Sequence, residues 1–205
     1  FAKIHFLKDL LLITPPFTQL NTPYPATAYL KGFLNTKNIS SYQIDLGIEV
    51  ILEIFSKKGV SEIFNVKPEN LSENAQRIFA LKEEYIKTID EVIAFLQNKK
   101  PTLARQICSM NFLPEASRFN QLDDMEYAFG NMGLQDKAKH LATLYLEDLS
   151  DYIIENIDEN FGFSRYAERL GRSANSFDEL YEKLQSDKTF VDNFTLEILD
   201  KKLLE

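Results

Sequence analysis

Side chains able to do chemistry are few and scattered: 2 His and 1 Cys in 205 residues. Asp136 and His140 stand four apart, at helical spacing, and could share a metal ion. Two ligands without a third leave such a site unspecified, so a surface pair is the plainer reading. Cys108 lies between Ile107 and Ser109 with no histidine near it in sequence, which suits a small apolar role better than that of a nucleophile. Carboxylates are plentiful, but on solvated helices they are ordinary, and none is paired at an apolar site. Arg165, Arg169 and Arg172 around Gly171 form a modest basic cluster that could meet a phosphate or the chain's own acidic residues; the internal contact is the preferred reading. No catalytic residue and no metal ligand is assigned.

The richest candidate is a loop. Leu10-Leu11-Leu12-Ile13 suits a strand buried on both faces, and it runs into Thr14-Pro15-Pro16-Phe17, where a diproline without N–H groups cannot continue a ladder. Asn21-Thr22-Pro23-Tyr24-Pro25 follows, ahead of an apolar helix, and proline in a first helical turn loses no hydrogen bond. The loop would then lie at the carboxyl end of a strand, where open α/β sheets hold their ligands. Thr14, Pro15, Pro16, Phe17, Asn21, Thr22 and Tyr24, with Asp45 at the end of a second strand, are the candidate cofactor-binding residues. The alternatives are a stiff connector for the loop and a helix cap for Asp45. No Gly-x-Gly-x-x-Gly separates the first strand from its helix, so a nicotinamide or flavin fingerprint is not supported.

The elements that must position this loop divide the chain in two. Over residues 1–60 the pattern predicts a partial Rossmann-like β-α-β-α unit. It consists of strand Asp9 to Thr14, helix Pro25 to Thr36 with Ala26, Tyr29, Leu30 and Phe33 inward, strand Tyr42 to Asp45, and a helix opened by Gly47 with Ile48, Ile51, Leu52 and Phe55 on one face. Two strands are too few for a stable parallel sheet, so part of it is expected elsewhere. Over 61–205 the period is helical, predicting a bundle. Ser72 caps a long helix to about Asn98, Pro101 starts the next, through Arg105 to Met110, and Asp136 to Asp158 forms another. In this last helix Ala138, Leu141, Ala142, Tyr145, Leu149, Tyr152 and Ile153 point inward, with an outer stripe of Glu147, Asp148, Asp151, Glu155, Asp158 and Glu159. Ser176-Phe177-Asp178-Glu179 is a capping box, and Phe190, Phe194 and Ile198 mark a final helix. The expected fold class is therefore mainly α with a small α/β N-terminal part: an incomplete parallel sheet plus a helical bundle.

Composition narrows the function classes. A formal net charge of −8 opposes nucleic-acid binding. No run of apolar residues is long enough for a signal peptide or a membrane span, so a cytoplasmic protein with no membrane partner is expected. One cysteine can neither close an internal disulfide nor supply the thiolates of an iron–sulfur cluster. The chain begins at Phe1 rather than Met, and Lys201 to Glu205 breaks off within a helical pattern, which reads as part of a longer gene product.

The residues Ile13-Thr14-Pro15-Pro16-Phe17, Leu20 to Thr27, Tyr29 to Leu34 and Gln43-Ile44-Asp45-Leu46, with a second patch at Phe161 to Glu168, carry a resemblance. They resemble the N-terminus of radical S-adenosylmethionine (radical SAM) proteins that carry a cobalamin-binding-like domain. The resemblance implies a Rossmann-like domain, with the helical stretch as its insertion, ahead of a catalytic barrel in an iron–sulfur oxidoreductase. A 4Fe-4S cluster, S-adenosylmethionine and cobalamin are the cofactors implied for that parent protein, and the remainder of the polypeptide is the implied partner. The family's Cys-x-x-x-Cys-x-x-Cys is absent, as is the Asp-x-His-x-x-Gly motif that supplies an axial ligand to cobalamin. The expectation is a non-catalytic fragment; the alternative is a helical interaction or homo-oligomerisation module without cofactor.

Overall fold

The structure is a computed structural model that describes residues 10–16, 20, 24–109, 111–124, 133–159, 161–163 and 176–204. It is mainly α-helical with one small parallel sheet. The chain divides into two compact units. Unit 1 is Phe1–Ile51, Gly162–Lys188 and Asp192–Glu205; unit 2 is Leu52–Phe161 and Thr189–Val191.

In unit 1, β1 (Leu10–Thr14) pairs in parallel with β2 (Ser41–Asp45), in register from Leu10 opposite Ser41 to Thr14 opposite Asp45. Parallel neighbours need a crossover, and α1 (Ala26–Thr36) provides it. Its first turn closes from the Tyr29 N–H to the Pro25 carbonyl at 3.0 Å. It ends at Asn38, whose φ of 56° is a left-handed conformation that asparagine tolerates and most residues resist.

The face that α1 buries differs from the expected one. Ala26, Tyr29, Leu30 and Phe33 are all exposed, Tyr29 at 77% and Phe33 at 57%, and Thr27 is the buried residue of the helix. Two strands spaced about 4.8 Å apart offer a helix only a narrow strip, so its wider apolar stripe is left uncovered among the described residues.

From β2 the chain enters α2 (Leu46–Ile54) directly. Val50, Ile51 and Ile54 are buried with Phe55 just beyond, whereas Ile48, expected inward, is 48% exposed. Near the C-terminus, α8 (Phe177–Gln185) starts with the Glu179 N–H donating to Ser176 Oγ at 3.2 Å, as its capping box requires. The closing helix, α9 (Phe190–Leu204), brings Lys202 Nζ to 3.8 Å from Glu49 of α2.

Among its described residues, the regular structure of unit 2 is all helical. Ser56 Oγ caps α3 (Lys57–Asn65) by accepting from the Gly59 N–H at 3.0 Å. The long helix expected from Ser72 to Asn98 is two: α4 (Glu73–Ala80) and α5 (Lys82–Leu96). At Leu81 the N–H is shared between the carbonyls of Arg77 at 3.2 Å and Ile78 at 3.1 Å, a tightening of the last turn that breaks the α-helical ladder. A left-handed Asn98, φ 59°, closes α5, with the Lys99 N–H bonded back to the Ala94 carbonyl at 2.8 Å.

Pro101 opens a 3-10 turn (Pro101–Leu103) that leads into α6 (Ala104–Ile107), shorter than the helix expected to reach Met110, which lies outside the described residues. A second 3-10 turn spans Ser117–Asp124. α7 (Leu134–Asn156) then buries Ala138, Leu141, Ala142, Tyr145, Leu149, Tyr152 and Ile153, as its spacing predicts. Phe64, Tyr85, Tyr145 and Tyr152 build an aromatic core, with ring centroids 5.1 Å apart for Phe64–Tyr152 and 5.0 Å for Tyr85–Tyr145.

Candidate functional site

The carboxyl ends of the two strands bring together Thr14, Thr27, Gln43 and Asp45. Parallel pairing sets Thr14 beside Asp45, and the first turn of α1 lays Thr27 against both strands. Thr14 Oγ1 lies 3.4 Å from Thr27 Oγ1, and Gln43 Nε2 donates to the same Thr27 oxygen at 2.7 Å. Thr14 and Thr27 are buried, so these contacts chiefly satisfy hydroxyls that burial would otherwise leave unpaired. Asp45 Oδ1 accepts from the Ile48 N–H at 3.2 Å. It therefore caps α2, the alternative that its position before Gly47 had offered.

Of the remaining loop candidates, Pro15 and Tyr24 are exposed and Pro16 half-buried. Phe17, Asn21 and Thr22 lie outside the described residues, as do His5 and the Arg165, Arg169 and Arg172 cluster. Sequence reasoning missed Thr27 and Gln43. The signal for Gln43 was available, since a polar residue flanked by Tyr42 and Ile44 in a short strand marks one face of the pleat.

Unit 2 holds a polar network that sequence reasoning also missed. Asp148, expected on the outer stripe of α7, is 0% exposed, and Asp158 is buried too. Asp148 Oδ2 accepts from the Ala116 N–H and Oδ1 from the Arg118 N–H, each at 3.1 Å. Its place three residues after Tyr145 and four before Tyr152, both inward, put it on the buried face. Burial pushes its carboxyl up to about 6, against the two N–H bonds that favour the charged form. The Arg118 guanidinium instead grips Asp151, with both N–O distances 2.7 Å. Glu155 accepts from the backbone N–H of Ser72 and from its hydroxyl. The acidic stripe is thus largely an internal anchoring face.

The other sequence candidates stay modest. Cys108 is half-buried, its Sγ 3.6 Å from the Leu134 carbonyl, and burial raises the thiol, the opposite of what a nucleophile needs. Asp136 is exposed and His140 half-buried; no group of three metal-ligating side chains forms among the described residues. A shallow groove of about 320 Å³ runs between Leu52 and Phe55 on one side and Ile93 and Ala94 of α5 on the other. Its carboxylate, Asp90, is already engaged by the Lys57 N–H at 2.8 Å. No helix among the described residues is long and apolar enough to cross a membrane. Comparison with protein-family models, with curated proteins and with solved structures gave no match to this chain.

Proposed function

We propose that the chain is a non-catalytic N-terminal part of a radical SAM iron–sulfur oxidoreductase, carrying the start of a cobalamin-binding-like domain and a helical insertion. One observation carries the reading beyond the resemblance of the loop residues. A parallel β-α-β unit, built on the residues that carry that resemblance, leaves bare the faces that a wider sheet would cover. Leu10 and Ile13 of β1 are 44% and 38% exposed, Leu30 of α1 is 52% exposed, and Tyr29 and Phe33 stand out further. A strand as apolar as Leu10 to Ile13 belongs inside a sheet flanked on both faces.

The residues present fit the implied cofactors unequally. A 4Fe-4S cluster needs several thiolates, and Cys108 is alone, so the cluster does not fit this chain and no chemistry is routed through it. For cobalamin, Thr14, Thr27 and Gln43 at the strand ends would form one wall, with Asp45 beside them as a helix cap. No histidine among the described residues stands at these strand ends. Cytoplasmic location and a partner in the remainder of the same polypeptide go with this reading.

Titration with hydroxocobalamin tests the wall: a spectral change that disappears in Thr14→Val supports it, and an unchanged spectrum removes cofactor binding from this chain. The coding sequence beyond Glu205 tests the parent, since the absence of a Cys-x-x-x-Cys-x-x-Cys there would sink the radical-enzyme reading. A second reading, a helical interaction module, is favoured by α8, where Phe177, Tyr181 and Leu184 are 76%, 54% and 67% exposed at helical spacing. A dimer that forms with rising concentration and is lost in Tyr181→Glu would favour that module.

A further inference from the structure

Among the described residues, every exposed large apolar side chain except Leu134 belongs to unit 1, and the open side of its sheet lies among them. The two strands differ as an inner and an outer strand do. β1 reads Leu-Leu-Leu-Ile-Thr without a charge, whereas β2 alternates Ser41, Gln43 and Asp45 with Tyr42 and Ile44. Edge strands are ordinarily blunted by charge, so the open side of β1 is the one suited to a further strand. The ladder fixes which groups that side offers. The Leu10 N–H donates to the Ser40 carbonyl at 3.3 Å. By alternation Leu10, Leu12 and Thr14 turn their backbone groups to β2, and Leu11 and Ile13 turn theirs to the open side.

The crossover helix marks the same side. Thr27, Lys31 and Leu34, the least exposed positions of α1, form the stripe that meets the sheet. Ala26, Leu30 and Phe33 flank this stripe on one side, with Tyr29 beyond them; Ala28, Gly32 and Asn35 flank it on the other. Crossovers between parallel strands are right-handed, and in that hand the apolar flank overhangs the open side of β1 while the small and polar flank overhangs β2.

We propose that β1 pairs edge to edge with β1 of a second copy of this chain, antiparallel about a two-fold axis that passes through the sheet at Leu12. In this register Leu11 exchanges both of its backbone hydrogen bonds with Ile13 of the second copy, and Ile13 does so with Leu11 of the second copy. Every outward N–H and carbonyl of the two residues then has a partner. Centring the pair on Ile13 instead would set Leu11 opposite Pro15, which has no N–H. The axis leaves both α1 helices on one face, with their apolar flanks turned towards each other. Strands spaced about 4.8 Å apart put the helix axes about 10 Å apart, the distance at which helices pack. The exposed parts of Leu10, Ile13, Tyr29, Leu30 and Phe33 come to roughly 500 Å² per copy, so a pair covers on the order of 1,000 Å², the lower end for a specific interface. The dilute chain is therefore monomeric, and the dimer forms as concentration rises. This pairing stands apart from the radical-enzyme reading, in which a strand of the parent polypeptide takes the same edge.

Sedimentation equilibrium of the whole chain at rising concentration tests the pairing. The mass should climb from that of one chain to that of two. Phe33→Glu, at an exposed position, should weaken the dimer by about tenfold or more, whereas Tyr181→Glu on α8 should leave it unchanged. In a Cys108→Ser background, Leu12→Cys should form an intermolecular disulfide on mild oxidation, because facing residues of a non-hydrogen-bonded pair have Cα atoms about 4.5 Å apart. Leu11→Cys should not, since it meets its own counterpart only diagonally, at about 8 Å. A mass of one chain up to the highest soluble concentration would overturn the dimer and leave the radical-enzyme reading standing. A dimer lost in Tyr181→Glu but kept in Phe33→Glu, or a Leu12→Cys chain that crosslinks no better than Leu11→Cys, would also overturn it.

Discussion

Tyr85 and Tyr145 stack in the same core, yet their hydroxyls have opposite standing. The Tyr145 oxygen lies 3.0 Å from Thr88 Oγ1 and 3.1 Å from the Tyr85 carbonyl, while the Tyr85 oxygen is buried without a partner among the described residues. An unsatisfied buried group costs about 1–3 kcal/mol, and a made bond contributes about 1 kcal/mol. Tyr145→Phe is therefore expected to destabilise by about 1–2 kcal/mol, and Tyr85→Phe to leave stability unchanged or raise it by about 1 kcal/mol. Urea unfolding of both variants decides this; a loss in Tyr85→Phe would mean that its hydroxyl has a partner. Helical spacing placed both rings inward, but periodicity reports which face a residue occupies, not which hydroxyl finds an acceptor across it.

At the scale of elements, α3 starts in close contact with the end of α2. A Cβ on Gly59 would lie 2.3 Å from the Glu53 carbonyl oxygen and 2.4 Å from that of Ile54, backbone atoms that cannot swing aside. Gly59→Ala should lower the unfolding free energy by about 1–3 kcal/mol despite alanine's better helix propensity. Thermal melting measures it, and a raised midpoint would show that the two helices can separate.

Boundaries set by a cap were legible in the sequence: Ser72 and Ser176 each accept the N–H that a capping serine should. The break at Leu81 was not legible, because Ile78, Tyr85 and Ile89 keep an inward spacing on either side of it. Asp148 was misplaced for a different reason. Its charge suits a solvated face, whereas its position is inward, where the Ala116 and Arg118 N–H groups find in it their acceptor.

For the molecule as a whole, fold class followed from the sequence because the strand, diproline and helix signals are local. The orientation of α1 did not, since what a helix buries depends on how wide a sheet it meets. The uncovered stripe makes its own prediction. Tyr29→Ser with Phe33→Ser should alter stability by less than about 0.5 kcal/mol, because neither ring is buried in this chain. The same pair should reduce binding of a hydrophobic dye such as ANS. A loss of more than 2 kcal/mol would show that the stripe is covered after all.

Unit 1 also has a temporal property. Its N-terminal segment ends at Ile51 and its next segment begins only at Gly162, with unit 2 between them. At ribosomal rates of about 5–20 residues per second, those strands wait on the order of ten seconds before the rest of their unit is synthesised. The order of emergence lets the inserted helical body fold first. Until the rest of unit 1 is made, the bare Leu-Leu-Leu-Ile strand is an apolar segment of the kind that aggregates.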